Sequence, residues 1–145
     1  MPSPLDPEID CLNRHGAAVG LSADFLPPQD AGRAFRALMA ELVFNTDDES
    51  RVRVHGRWYA IPRRQTVCGD AGARYRLSGC TVPARPWAPE LTRLRGLVHE
   101  GTGFDANFVL ANLYRGGADC IGWHSDDEAG LGPQPEIVSL AFGTT

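Results

Sequence analysis

The stretch NFVLANLYRGGADCIGWHSDDE, residues 107–128, decides the fold that we expect for this chain. Apolar residues dominate its first half, which predicts a buried strand, and two successive glycines then predict a bend. His124 and Asp126 follow two positions apart, so on an extended backbone both side chains leave the same face. An imidazole and a carboxylate on one face can supply two of the three protein ligands of a non-haem Fe(II) site.

Asn112 and Tyr114 repeat this two-residue spacing in the apolar half of the stretch. An amide and a phenol that leave an apolar strand together are costly to bury without a partner, and a small polar cosubstrate would provide one. Each pair also has a simpler interpretation. His124 and Asp126 alone are more often a polar pair on a loop, and Asn112 and Tyr114 alone are more often a cross-strand pair and a half-buried aromatic. Their position in one continuous block favours the functional interpretation.

Composition indicates one ordinary globular domain. The 145 residues are 43% hydrophobic and 22% charged, no apolar run reaches membrane-spanning length, and the first ten residues lack the basic and apolar regions typical of a signal peptide. The four cysteines lack C-x-x-C spacing, which indicates free thiols in a reducing compartment. We therefore expect an intracellular protein (nuclear if eukaryotic, cytoplasmic if bacterial) that is monomeric and free of membrane contact. Residues 1–20 are proline-rich and polar and predict a flexible tail, and residues 21–145 form the domain.

The arginines are unevenly placed. Net charge is −4, which by itself argues against general nucleic-acid binding. Seven arginines and a single acid, Asp70, nevertheless lie between Arg51 and Arg76, and the chain contains no lysine. Guanidinium groups bind phosphate oxygens through paired hydrogen bonds, so this segment could follow a nucleic-acid backbone. A solvated charged face is an equally good interpretation on composition alone.

Apolar spacing predicts two helices. The first would begin with Asp30 as its cap and bury one stripe of side chains, namely Phe35, Leu38, Met39, Leu42 and Val43. The second would run from about Pro89 to His99 and end at a glycine-containing segment. Its buried stripe would comprise Leu91, Leu94 and Val98.

Alternation and turn residues predict the strands. Residues 51–61 indicate a β-hairpin with His55-Gly56 as its turn, and residues 45–50 before it indicate an acidic loop. The run YRLSG, residues 75–79, predicts a further strand, and residues 137–142 predict a buried one.

These segments together resemble the AlkB family of Fe(II)/2-oxoglutarate dioxygenases. The resemblance covers most of the chain from about Val52 onward. It rests on four runs: HGRWYAIPRRQTVCGDAGARYRLSG (55–79), FVLANLYRGGAD (108–119), IGWHSDDE (121–128) and IVSLAFG (137–143). Such an ordered set is far more specific than an isolated His-x-Asp. It implies an α+β fold, in which N-terminal helices pack on a double-stranded β-helix, the cupin-like jelly roll.

The resemblance also implies an activity, the oxidative demethylation of N1-methyladenine and N3-methylcytosine in alkylated DNA. Fe(II) would be the cofactor, with 2-oxoglutarate and O₂ as cosubstrates. His124 and Asp126 would bind the metal, and Asn112 and Tyr114 would bind 2-oxoglutarate. A flat ring and hydrogen-bonding groups are what holding an extruded base requires. The residues that the resemblance assigns to this nucleobase pocket are Arg63, Tyr75, Ser78, Asp127 and Glu128.

In the resembling family, the tip of the hairpin inserts an aromatic side chain into the DNA duplex. Here the tip is Val54, His55 and Gly56, and His55 stands at the inserting position. Imidazole is smaller and more polar than a phenyl ring, so it can stack but should wedge the bases apart less well. This difference predicts a weaker preference for duplex DNA. Without the resemblance, His55 is more often a polar turn residue.

The family pattern continues with a second metal histidine and with an arginine for the far carboxylate of 2-oxoglutarate. No residue after Thr145 is present to supply them. We therefore expect the 145-residue chain alone to hold an incomplete β-helix and to be inactive, and measurable 2-oxoglutarate turnover by it would refute this. Two alternatives stay open, namely the same chemistry on RNA or protein, and a non-catalytic relic that binds nucleic acid.

Overall fold

The computed structural model describes residues 19–77, 80–126 and 128–143. They contain two helices, α1 (Pro28–Glu41) and α2 (Pro89–Thr102), and a short 3₁₀ helix (Ala129–Leu131). The strands are β1 (Arg51–Val54), β2 (Arg57–Ala60), β3 (Arg64–Gly69), β4 (Arg74–Leu77), β5 (Cys80–Pro83) and β6 (Phe108–Leu113). They pair antiparallel as β1–β2, β3–β6 and β4–β5. The described residues therefore combine α-helices with antiparallel strands, as the predicted α+β class requires.

The β3–β6 ribbon carries the centre of the predicted site. Its register places Gln65 opposite Asn112, and β3 is buried from Gln65 onward. At the far end, Gly69 lies opposite Phe108 so closely that an added Cβ would stand 2.7 Å from the Phe108 Cβ. Real Cβ atoms do not approach so closely, so the ribbon requires glycine at this position.

The β1–β2 hairpin forms where the sequence predicts it. His55 and Gly56 have φ angles of 47° and 80°, the two left-handed residues that a type I′ turn needs. Nearly all its side chains are exposed on both faces, including Trp58 at 63%. The hairpin therefore projects its side chains into solvent.

The two helices pack on each other and supply most of the small core. Its buried apolar residues are Ala34 of α1, Val67 and Cys68 of β3, and Leu91, Leu94 and Val98 of α2. The Glu90 backbone N–H, in the first turn of α2, donates a hydrogen bond of 2.8 Å to Glu41 Oε2 at the end of α1. The first N–H groups of a helix lack partners within it, and this end carries partial positive charge, so a carboxylate stabilises it. The apolar stripe of α2 is confirmed, as is its end at Gly103, where φ is 74°.

Two predictions for α1 were wrong. Asp30 is not its cap, because two prolines, Pro27 and Pro28, begin the helix and no side chain caps it. Proline suits this position since the first N–H groups need no partner within the helix. Asp30 lies in the first turn instead and pairs with Arg33. The predicted stripe is also only partly buried, because Phe35 and Met39 are 40% and 43% exposed.

The predicted strand at residues 137–142 was wrong as well. These residues form no strand, and Ile137 and Val138 are 52% and 39% exposed. A strand depends on the hydrogen bonds of a neighbouring strand, and no described strand pairs with this segment.

Three of the four cysteines lie within the described part of the chain. Cys68, Cys80 and Cys120 are free thiols, as predicted, and burial raises the pKa of the Cys68 thiol despite the nearby positive charge of Arg85. Cys11 lies outside the described residues.

No helix in the described ranges is both long and apolar enough to span a membrane.

Candidate metal and nucleobase site

His124 and Asp126 come together after β6, as their spacing predicts. His124 Nε2 lies 3.2 Å from Asp126 Oδ1, although neither residue belongs to a strand. Both side chains are 47% exposed, so the pair is open to solvent on one side. An imidazole nitrogen and a carboxylate oxygen therefore share one small volume at the surface.

The other ring nitrogen of His124 determines what the first one can do. His124 Nδ1 lies 2.8 Å from the Gly122 carbonyl oxygen. A carbonyl only accepts, so Nδ1 carries a proton and donates it. In the neutral ring Nε2 then holds its lone pair, which is the tautomer that metal-binding histidines adopt through the same kind of contact.

The pair also fits the spacing of two neighbouring ligands of one metal ion. Nitrogen and oxygen ligands that bind at about 2.1 Å and at right angles lie about 3.0 Å apart. The observed 3.2 Å needs little adjustment. No group of three or more His, Cys, Asp or Glu side chains arranged for a metal occurs among the described residues. These residues therefore supply two donors of the predicted set.

Asn112 occupies the middle of the site, near the end of β6. Its Oδ1 accepts two hydrogen bonds, one from Arg63 Nε at 3.1 Å and one from Gln65 Nε2 at 2.9 Å. With the oxygen engaged twice, the amide orientation is set, and Nδ2 keeps its donors, which bond to no other described side chain. Asn112 thus presents a fixed donor rather than an acceptor.

Arg63 connects this strand to the loop that leads to His124. Besides Asn112, it donates from Nη1 to the Cys120 carbonyl at 3.3 Å. The Cys120 N–H in turn donates to the Pro62 carbonyl at 2.9 Å. These two hydrogen bonds therefore hold the loop against the start of β3 at Cys120, four residues before His124.

Tyr75 and Glu128 meet directly, although 53 residues separate them. The Tyr75 hydroxyl donates to Glu128 Oε1 at 3.1 Å, and its ring packs on Phe108 with centroids 5.3 Å apart. Burial, the hydrogen bond to Glu128 and the charges of Glu128 and Asp126 raise the pKa of Tyr75 to about 12. The phenol therefore keeps its proton and remains a donor at neutral pH.

The remaining predicted residues differ in how the structure places them. Tyr114 follows the last residue of β6, is 44% exposed and forms no hydrogen bond with a described residue. The hairpin tip, Val54 to Gly56, is exposed, and no hydrogen bond or ion pair joins it to the described residues of the site. Ser78 and Asp127 lie outside the described residues.

An ion-pair network that sequence reasoning missed holds the glycine-rich bend. Arg115 forms paired hydrogen bonds with Asp119, the shorter at 2.7 Å, and reaches Asp47 at 3.0 Å. Asp47 also accepts from Arg64 of β3. Hydrogen bonds from the Arg115 side chain and its backbone N–H lower the pKa of Asp119 to about 2. Opposite charges four residues apart were a visible signal for the first pair, whereas nothing local indicated Asp47.

Comparison with known proteins shows that this chain is similar to oxygenases. Residues 18–145 match the model of the 2OG-Fe(II) oxygenase superfamily. The chain is 44% identical to mouse DNA oxidative demethylase ALKBH2 over 133 residues, which are 90% of this chain and 56% of the relative. It is 41% identical to the human ALKBH2 protein over 133 residues, 90% and 51% of the two chains. Human alpha-ketoglutarate-dependent dioxygenase alkB homolog 3 is 46% identical over 88 residues, 60% and 30%. The chain thus spans about half the length of these ALKBH2 relatives.

Proposed function

Since this chain belongs to the 2OG-Fe(II) oxygenase superfamily, we propose that the protein carrying it repairs alkylated DNA by oxidative demethylation. The ALKBH2 and alkB homolog 3 relatives confirm the predicted AlkB resemblance. The name that the ALKBH2 relatives carry, DNA oxidative demethylase, supports the proposed reaction and substrate class. N1-methyladenine and N3-methylcytosine are the proposed lesions, because a methyl group on either ring nitrogen blocks base pairing and lowers the cost of extruding the base.

The observation that carries this proposal is the separation of 3.2 Å between His124 Nε2 and Asp126 Oδ1. These two atoms would hold Fe(II), and the contact of Nδ1 with the Gly122 carbonyl would keep Nε2 available. When bound, Fe(II) together with 2-oxoglutarate and O₂ would supply the oxidising chemistry that the methyl group requires. The two residues are on one loop, so their spacing is set by the local backbone.

Asn112 and Tyr114 are the proposed contacts for 2-oxoglutarate. Asn112 has its oxygen occupied by Arg63 and Gln65, so its amide N–H groups are the free donors. Donors are what the carboxylates of this cosubstrate need. Tyr114 adds an exposed phenol two residues further along. Arg63, the proposed fifth member of the nucleobase pocket, would also position this cosubstrate contact, since it orients Asn112 and reaches the Cys120 carbonyl.

Tyr75 and Glu128 are the proposed centre of the nucleobase pocket, with Ser78 and Asp127 beside them in sequence. The Tyr75 ring can stack on a base, and its hydroxyl holds Glu128 in place. Glu128 then offers a carboxylate oxygen that can accept from an exocyclic amino group. An aromatic face and an oriented acceptor are the two elements that hold an extruded base.

Three further parts of the proposal concern the whole protein. The antiparallel ribbons are proposed to belong to a double-stranded β-helix, the jelly roll expected of this superfamily. The exposed hairpin tip, with His55 at its turn, is proposed to contact DNA near the extruded base. We also propose that the protein is intracellular, since its proposed substrate is cellular DNA, and that it acts as a monomer.

The proposal is tested by repair of a DNA oligonucleotide that contains one N1-methyladenine. The whole protein that carries this chain is incubated with the oligonucleotide, Fe(II) and 2-oxoglutarate, and mass spectrometry measures conversion to adenine. His124→Ala and Asp126→Ala should each reduce conversion to background. His99→Ala is the control, because His99 pairs with Asp105 at the end of α2 and should retain wild-type conversion.

Unchanged conversion in His124→Ala would contradict the proposed metal site. Parallel reactions with a methylated RNA oligonucleotide and a methylated peptide distinguish the two alternative substrates. Oligonucleotide binding without any iron-dependent product would instead identify a non-catalytic binding protein.

A further inference from the structure

The seven arginines between Arg51 and Arg76 differ in the contacts that their side chains make in the structure. Three have polar side-chain partners: Arg51 pairs with Asp48, Arg63 with Asn112 and Arg64 with Asp47. Arg53 lies over the Trp58 ring in the hairpin. Within residues 19–77, 80–126 and 128–143, no hydrogen bond or ion pair engages the side chains of Arg57, Arg74 and Arg76.

Arg74 and Arg76 differ from Arg57 in their place beside the candidate site. They lie two positions apart on β4, so they share one face, and both are exposed. Tyr75 lies between them on the opposite face, where its ring packs on Phe108 and its hydroxyl reaches Glu128. The outer side of the strand that carries Tyr75 therefore presents two positive charges, about 6.6 Å apart along the strand, that no described side chain pairs with.

The acid nearest to this face in sequence is engaged elsewhere. Asp70 is the single acid of the arginine-rich segment, and its Oδ1 accepts from Trp87 Nε1 at 2.7 Å and from Arg95 at 3.1 Å. Glu128 and Asp126 are near Tyr75, on the other face of β4. A pair of like charges without a counter-charge is an electrostatic cost that a bound anion would remove.

We propose that Arg74 and Arg76 form a phosphate-binding surface for the DNA strand whose base is held beside Tyr75. This inference rests on the proposed function, and it adds a contact surface to it. A strand of nucleic acid offers regularly spaced phosphates, and arginine forks bind their oxygens in pairs. Such contacts carry no sequence information, so they would position any strand and leave lesion selection to the pocket.

The test is the salt dependence of binding to a fluorescein-labelled, single-stranded DNA oligonucleotide with one N1-methyladenine. Fluorescence anisotropy measures the dissociation constant over a series of NaCl concentrations. Each phosphate contact contributes about 0.7 to the slope of log affinity against log salt for single strands. Arg74→Gln and Arg76→Gln should each reduce the slope by about 0.7, and the double variant by about 1.4.

Two controls separate charge from structure. Arg36→Gln removes the same charge from an exposed side chain of α1 and should keep the wild-type slope. Arg74→Lys with Arg76→Lys keeps both charges and should keep most of the slope. If the wild type binds but both glutamine variants keep its slope, this surface is wrong and the proposed function is untouched. If the wild type does not bind, the nucleic-acid substrate fails and this surface fails with it.

Discussion

Several side chains of the candidate site have two partners, and each contact constrains the other. His124 uses Nδ1 on the Gly122 carbonyl, which leaves Nε2 to face Asp126. Arg63 uses Nε on Asn112 and Nη1 on the Cys120 carbonyl. A single substitution at Arg63 would therefore release both the Asn112 amide and the loop that leads to His124.

The phenol of Tyr75 predicts a loss of stability in alkali. Burial is the main cause that raises the pKa of Tyr75 from 10.0 to about 12, and its contact with Glu128 adds to this. Because the folded-state pKa is raised, the stabilisation is fully present below pH 10 and is lost as pH rises toward about 12. Tyr75→Phe should flatten the fall in the free energy of unfolding over this range, as measured by urea denaturation. Tyr59→Phe, half-exposed in the hairpin, is the control. An equal fall in both variants would contradict the assignment to Tyr75.

The hydrogen bonds between Arg115 and Asp119 predict that the glycine-rich bend loses stability at low pH. Hydrogen bonds from Arg115 hold the pKa of Asp119 at about 2, below its ordinary 3.8. The contact therefore stabilises the bend above about pH 4, and that stabilisation is lost as pH falls through about 2. Asp119→Asn should speed hydrogen exchange of the Cys120 amide at neutral pH, since Asp119 fixes the bend directly before Cys120, whose N–H donates to the Pro62 carbonyl. NMR-detected exchange measures it.

The matched variant for Asp119 is Asp48→Asn. Asp48 is an exposed acid paired with Arg51, so the substitution removes the same charge from a different place. Cys120 exchange should match the wild type in this variant. Equal acceleration in both would mean that net charge, and not the Arg115 contact, protects the amide.

The secondary-structure elements that local patterns determine were predicted well. A type I′ turn at His55-Gly56 and the apolar stripe of α2 depend on residues close together in sequence, and both are present. The strand predicted at residues 137–142 depends on a pairing partner, which no local pattern specifies. Asp30 is a good capping residue by type, but the prolines before it set where α1 begins.

The β3–β6 ribbon predicts that Gly69 tolerates no side chain. A Cβ there would meet the Phe108 Cβ at 2.7 Å and the Asn107 carbonyl oxygen at 2.8 Å. Gly69→Ala must therefore separate the strands, and overpacking of this kind costs about 1–3 kcal/mol. Gly116→Ala meets no atom within 4 Å and should be nearly neutral. Chemical denaturation measures both, and equal stabilities would show that the ribbon yields without strain.

Across the whole molecule, the site joins segments that are distant in sequence. The approach of His124 to Asp126 was predictable because two positions separate them, and Asn112 was a candidate because its strand, β6, precedes them in the same stretch of sequence. The hydrogen bonds from Arg63 to Asn112 and from Tyr75 to Glu128 span 49 and 53 residues. The resemblance suggested such residues as pocket members, but no sequence pattern could show that they touch.

The small core predicts that one α2 side chain supports much of the fold. Leu94 is 3% exposed, and truncating a buried leucine removes apolar contacts and leaves a cavity. Leu94→Ala should lower the free energy of unfolding by about 2–5 kcal/mol, as measured by urea denaturation. Leu21→Ala, at a position 70% exposed, should change it by less than about 0.5 kcal/mol. A loss at Leu94 no larger than at Leu21 would place the core elsewhere.

The hydrogen bond from the Glu90 N–H to Glu41 has a consequence for how the protein melts. The Glu41 carboxylate, at the end of α1, caps the first turn of α2. Neither helix can therefore fray at this junction without breaking a hydrogen bond of the other. Both helices should therefore denature as one cooperative unit, with a shared transition temperature when each is followed by its own isotope-labelled amides.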